Sequence, residues 1–149
     1  MEQKPEIKSS SCYCNNLRRA ANAVTAYYDR MLTASGLSVN QYSILSNIQK
    51  IEPCSVADLS RQVRLERTTL VRNLKALYAA DWIYDEANPG NRKSRIHLTE
   101  TGAEKVLRAK ESWKKAQASL ETHLGESTLH MLKETLLELE KLNQSQESL

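Results

Sequence analysis

Apolar residues recur at three- and four-residue steps from Leu17 through Ala20, Ala21, Val24, Tyr28, Met31 and Leu32. This spacing predicts a helix of about six turns, starting near Ser11 and ended by Gly36. Ser38 is placed to cap a second helix carrying Tyr42, Leu45, Ile48 and Ile51, which stops at Pro53. Ser55 is placed to cap a short third helix with Ala57, Leu59 and Val63 on its apolar side. Glu66-Arg67-Thr68-Thr69 then opens a fourth, with Leu70, Leu74 and Leu77 facing inward. Trp82–Tyr84 and the alternating Ser94–Leu98 read as two short strands joined by the turn-forming Asn88-Pro89-Gly90-Asn91. Thr99 is positioned to cap a long helix running to about Leu124. After Gly125 a last helix carries Leu129, Leu132, Leu136, Leu139 and Asn143 at 3-4-3-4 spacing, a seam that packs against another helix within the chain or across a dimer.

The order short helix, tight turn, helix, hairpin, helix predicts a mainly α chain with a small β-hairpin wing, that is, a winged helix-turn-helix beside a helical dimerisation region. The expected boundaries are a disordered lead-in at 1–10, the helical region at 11–36 and 103–145, and the winged part at 37–102, all within one intertwined domain. At 149 residues the chain is about one domain long and able to bury a core.

Net charge is only +3, but its distribution is informative. Arg61, Arg64, Arg67, Arg72 and Lys75 face one acid, Glu66, and Arg92-Lys93-Ser94-Arg95 has none. From Glu121 to Glu147 there are six acids and two lysines. A basic middle beside an acidic end suits a protein that sets one face on a polyanion. A recognition helix presents its N-terminal residues to base edges in the major groove. Arg67, Thr68, Thr69, Arg72 and Asn73 are therefore the expected base readers: Arg pairs with guanine, Asn with adenine, and a Thr methyl meets the thymine methyl. Arg61, Arg64, Lys75, Lys93 and Arg95 are expected on phosphates, and Arg92, at the tip of the hairpin, in a minor groove. Double-stranded DNA is the expected partner. A winged-helix module that binds protein instead of DNA is the alternative, because a fold by itself guarantees no function.

Other classes find little support. No nucleophile elbow, phosphate loop or His-Glu metal motif is present, so an enzyme is not expected. Cys12-x-Cys14 with the scattered His97, His123 and His130 lacks the pairing of a structural zinc site, and neither a metal nor another cofactor is expected. His97 is expected to point from the wing to solvent or DNA. No apolar run approaches the ~20 residues of a membrane helix, and the polar start is unlike a signal peptide. A cytoplasmic protein with no membrane partner and reduced thiols is the default.

Ser55-Val-Ala-Asp-Leu-Ser-Arg-Gln-Val, Leu65-Glu-Arg-Thr-Thr-Leu-Val-Arg-Asn-Leu-Lys-Ala-Leu and Arg92-Lys-Ser-Arg-Ile-His-Leu-Thr-Glu-Thr-Gly102 resemble the MarR family of transcription regulators, as does Gly36-Leu-Ser-Val-Asn-Gln-Tyr42. The resemblance spans roughly Leu17 to Leu142, and Leu98-Thr-Glu-Thr-Gly102 after the wing is its most specific part. It implies a homodimer with interleaved first and last helices, which binds a pseudo-palindrome and usually represses. It further implies a pocket for a small, often aromatic or phenolic, ligand. The family's wing commonly reads Asp-x-Arg; here Gly90 stands at the Asp position and Arg92 at the Arg. Asp85 or Glu86 is the available substitute support. Cys14, at a helix start where the dipole favours a thiolate, matches the reactive cysteine of organic-peroxide sensors of the OhrR type. One of the tyrosine positions of those sensors is occupied by Tyr28 and the other by Arg18. Redox candidates are thus Cys14, Cys12 and Tyr28, and peroxide is the alternative effector. Whether the regulator represses or activates is open in the sequence.

Overall fold

The computed structural model describes residues 6–87 and 93–146, the side chains of 145 and 146 excepted. Helix α1 spans Tyr13–Leu32, α2 Val39–Ile51, α3 Val56–Val63 and α4 Arg67–Ala79. Strands β1 (Ile83–Asp85) and β2 (Ile96–Leu98) follow, then α5 (Glu100–Leu124) and α6 (Glu126–Glu140). The architecture is the expected winged helix-turn-helix with additional helices. The chain divides into two compact units, Met1–Trp113 and Lys114–Leu149, with the division falling inside α5.

In the first unit, local side-chain chemistry sets most helix starts. Ser38 Oγ accepts from Gln41 N at 3.1 Å while Gln41 Oε1 accepts from Ser38 N at 3.0 Å. Ser55 and Asp58 repeat this reciprocal cap at α3, at 3.1 and 3.2 Å. Each box satisfies two backbone donors that a helix end leaves open. Asp29 Oδ1 accepts from Val39 N at 2.7 Å and so ties α1 to the start of α2. Helix α1 is shorter than its periodicity suggests, since Thr33–Ser35 tighten into a 3-10 turn before Gly36 adopts φ +75°. Ahead of α1, Asn16 holds Ser10 at both main-chain groups, at 2.7 and 2.8 Å.

The core is built from Leu32, Leu37, Ile44, Leu45 and Ile48 beneath α3 and α4, whose Leu59, Leu70, Leu74 and Leu77 are buried. Ile83, Ile96 and Leu98 extend it under the hairpin, and Val106 and Ala109 close it from α5. The inward Leu70-Leu74-Leu77 stripe is the one expected from the spacing.

The strands pair antiparallel in the register Ile83↔Leu98, Tyr84↔His97 and Asp85↔Ile96. They are displaced from the expected Trp82–Tyr84 and Ser94–Leu98. Trp82 N bonds back to Leu77 O at 3.1 Å, closing α4, so the strand starts one residue later. Arg95 N donates to Asp85 Oδ1 at 2.8 Å, so a carboxylate takes the place of a ladder carbonyl and β2 begins at Ile96. Cys54, buried, adds a one-residue bridge to Ile96 through bonds of 3.1 and 2.8 Å. Residues 88–92, which hold the expected turn, Gly90 and Arg92, lie outside the described residues.

At the wing's exit, Thr99 Oγ1 accepts from Gly102 N at 3.0 Å and donates to Asp81 O at 2.7 Å, capping α5 against the end of α4. A Cβ at Gly102 would lie 2.0 Å from Trp82 O. Glycine is therefore required by space at this crossing. In the second unit, α6 carries its 3-4-3-4 apolar positions with no buried residue among them. No described helix is long and apolar enough to cross a membrane.

Candidate nucleic-acid interface

Helix α4 turns Leu70, Leu74 and Leu77 inward and leaves Arg67, Thr68, Thr69, Arg72 and Lys75 exposed. Among the described residues neither Arg67 nor Arg72 is paired with an acid, so each guanidinium presents its donors to an incoming ligand. Asn73 stands apart from this set. Its Nδ2 donates to Thr69 O at 2.9 Å and its Oδ1 accepts from Asn40 Nδ2 at 3.2 Å. Each end of the amide keeps a second site, one Nδ2 hydrogen and one Oδ1 lone pair, so Asn73 can still meet adenine while it braces the joint between α2 and α4. A contact 33 residues away in sequence ties it to that joint, and helical position alone could not reveal that.

The turn before α4 is made by Arg64, which closes α3 in the left-handed region at φ 54° and exposes its side chain. Arg61, one turn earlier, is paired with Asp58 at 2.5 Å. Arg61, Asp58, Lys93 and Arg95 all line an open crevice of about 370 Å³ between the start of α3 and the wing. Three of the expected phosphate contacts are thereby brought together. Asp58 shares the crevice with them. Its hydrogen bonds with Ser55, and then the charges of Arg61 and Lys93, hold its carboxyl below the usual range.

The wing base is braced by both acids proposed as substitutes for the missing Asp. Asp85 Oδ1 accepts from Ala87 N at 2.9 Å as well as from Arg95 N. Glu86 Oε2 lies 2.9 Å from His97 Nε2 and 3.2 Å from Arg95 Nε. Those bonds, with the Arg95 charge, hold the Glu86 carboxyl below its ordinary value. The bracing therefore serves Arg95; Arg92 lies outside the described residues. His97 alternates with the buried Ile96 and Leu98 and so lies on the outer face of the hairpin, where it is partly covered. Its ring stacks on Tyr84 with centroids 5.1 Å apart and is 22% exposed, because the cross-strand pair brings the two rings face to face.

Cys12 and Cys14 are exposed at the start of α1, and Arg18 Nη2 lies 3.8 Å from Cys14 Sγ. Tyr28 is buried. It lies on the same helix as Cys14, 14 residues on, about 21 Å at 1.5 Å per residue. One chain therefore does not bring the pair together. Cys54 differs in kind: burial, then the charges of Asp58 and Glu52, push its thiol up to about 11, which keeps it protonated and unreactive. Among the described residues no three His, Cys, Asp or Glu side chains gather as a metal site requires.

A second concavity, of about 430 Å³, opens between α2 and α5. Tyr42 and Trp113 form its wall, with ring centroids 5.8 Å apart, and Lys50 and Lys110 also line it. Tyr42 and Trp113 are legible in the sequence as apolar positions of their helices, and Lys50 and Lys110 are not. The pairing of helices that builds the groove joins residues about 60–70 positions apart, beyond the reach of any local pattern.

Residues 37–94 match the model of the MarR family. Among solved structures, the chain is similar to the M. tuberculosis transcriptional regulator MosR in complex with DNA, at 29% identity over 91% of this chain and 98% of that one, with a TM-score of 0.80. It is also similar to Bordetella bronchiseptica BpsR, a protein whose DNA binding is regulated by 6-hydroxynicotinic acid, at 20% identity over 85% and 97% of the two chains, TM-score 0.73. A further likeness is to S. aureus MepR in a DNA complex, at 17% identity over 86% and 94%, TM-score 0.71. The last two, at such identities, show the shared fold. No curated protein matches the chain.

Proposed function

We propose that this chain, whose residues 37–94 match the MarR-family model, is a DNA-binding transcriptional regulator, a homodimeric repressor that leaves its pseudo-palindromic operator when a small aromatic ligand binds. The observation that carries the reading is the uncommitted basic face of α4, with Arg67, Thr68, Thr69, Arg72 and Lys75 exposed above an inward leucine stripe. Arg67 and Arg72 read bases, while Arg61, Arg64, Lys75, Lys93 and Arg95 hold phosphates. The likeness to MosR, which is 29% identical and solved in complex with DNA, supports the DNA-binding reading. Titration of a duplex at several salt concentrations tests it: the logarithm of affinity should fall steeply and linearly with the logarithm of salt, by about 0.9 per phosphate neutralised. Binding that ignores salt would instead favour a protein-interaction module.

The dimer reading, with 11–36 and 103–145 as the dimerisation region, draws on α6. Met131 is 65% exposed, and Leu132, Leu136, Leu137 and the following Leu142 are also uncovered. An apolar seam of this kind on a helix with nothing buried is covered by a second copy. Leu136→Glu should convert a dimer to a monomer in light scattering and weaken DNA binding with it; an unchanged mass would remove the seam from the interface.

The ligand reading rests on the groove between α2 and α5. Its size falls in the range of small-molecule sites, and its aromatic wall beside Lys50 and Lys110 suits a planar aromatic acid. Such an acid should release DNA from the wild type and lose potency on Lys110→Ala.

A second reading, redox release, is favoured by the proximity of Arg18 to Cys14. In that reading the Cys14 sulfur attacks the peroxide O–O bond and becomes a sulfenic acid, while water or an alcohol leaves. Peroxide is then expected to release DNA from wild type and not from Cys14→Ser. Equal release from both would end this reading.

A further inference from the structure

We infer that Val71 is a base reader, whose side chain recognises the C5-methyl group of a thymine in the major groove. The inference rests on the DNA-binding reading above and adds a residue to it. The buried Leu70, Leu74 and Leu77 set the inward direction of α4, and Asn40 reaches Asn73 on one flank. On the other flank Arg67, Val71 and Lys75 follow one another at i, i+4 spacing, the spacing that places side chains together on a helix surface. Thr68 lies one turn before Val71, and all four are exposed. Val71 is 44% exposed, an apolar side chain uncovered within a cationic and hydroxylic face.

Isolated exposed apolar residues are ordinary on protein surfaces, so exposure alone assigns nothing. Position and stiffness decide. Val71 is the fifth residue of α4, in the N-terminal half that meets base edges in a helix-turn-helix. Its Arg67 and Lys75 neighbours bring the helix against bases and phosphates. A β-branched residue in a helix holds nearly one χ1 rotamer, so its methyls are presented in fixed positions. Among the base edges of the major groove, the thymine methyl is the apolar group available to meet them.

The experiment uses the full-length protein and the tightest-binding duplex recovered from a randomised pool. Each thymine is replaced in turn by uracil, which removes only the C5-methyl. One replacement per half-site should weaken the wild type by about fourfold, the worth of one buried methyl. Val71→Ala should bind the thymine and uracil duplexes equally, and Val71→Ile should keep the thymine preference. A thymine preference that survives Val71→Ala, or no replacement that weakens the wild type, overturns the assignment while leaving DNA binding intact. A pool that yields no preferred duplex overturns the DNA-reading function itself and this inference with it.

Discussion

Gly102→Ala is expected to destabilise the first unit by about 3 kcal/mol, the upper part of the usual range for forcing atoms into a packed site. The added Cβ would stand 2.0 Å from Trp82 O and 2.9 Å from its carbonyl carbon. No side chain can swing aside to relieve this, because the obstacle is backbone. That carbonyl also accepts from Thr99 N at 3.0 Å, while Thr99 is held to Asp81 O and to Gly102 N. The clash thus falls on the joint where α4 ends, β1 begins and α5 starts. Denaturant unfolding should show a lower midpoint at unchanged slope. Gly125→Ala is a comparison of another kind: its φ of 81° and ψ of 157° lie in a region held almost only by glycine, and nothing lies within 4 Å of the new Cβ, so its cost, about 1–3 kcal/mol, is conformational alone. A Gly102→Ala variant as stable as the wild type would show that close approach is not the reason for glycine at 102.

The second large effect concerns binding. Arg72→Ala is expected to weaken the preferred duplex by about 10- to 100-fold, corresponding to the ~1–3 kcal/mol of a bidentate guanine contact. The preference for one base pair should relax with it. Arg72 points away from the Leu70-Leu74-Leu77 stripe and is unpaired among the described residues, so its removal deletes a contact to DNA and leaves the fold alone. Arg61→Ala makes an instructive contrast, since Arg61 is already engaged by Asp58. Its loss should weaken all sequences alike and lower the salt dependence by about one phosphate. Competition assays against specific and random duplexes separate the two behaviours. A uniform loss in Arg72→Ala would make that residue a phosphate contact.

Sequence and structure agree wherever the determinant is local. Ser38, Ser55 and Thr99 cap their helices within three residues of themselves, and Gly36 closes its turn through its own φ. The leucine phase of α4 is likewise a matter of spacing. Divergence appears where a distant residue intervenes. Asp85 captures Arg95 N across the hairpin and shortens β2; Asn40 reaches Asn73 from α2; Tyr84 and Glu86 partly cover the His97 ring on the outer face of the wing. Val71 is a different case. The same Leu70-Leu74-Leu77 phase that locates the core also leaves position 71 outside it, so its exposure was legible in the spacing. A methyl contact needs no hydrogen bond, so donor and acceptor pattern alone does not mark position 71. Asp58 was legible too, as the third residue after Ser55 in a capping box. Its place in the basic crevice depends on the wing folding back toward α3, which no local pattern contains.

The central claim is that the exposed face of α4 reads DNA sequence. Selection of bound duplexes from a randomised pool tests it most directly. The account predicts a pseudo-palindromic sequence with half-sites about 10 base pairs apart, one turn of the double helix, whose enrichment disappears when Arg67 and Arg72 are both replaced by alanine. A pool that stays random with the wild-type protein, or an enriched sequence indifferent to that double substitution, would contradict it.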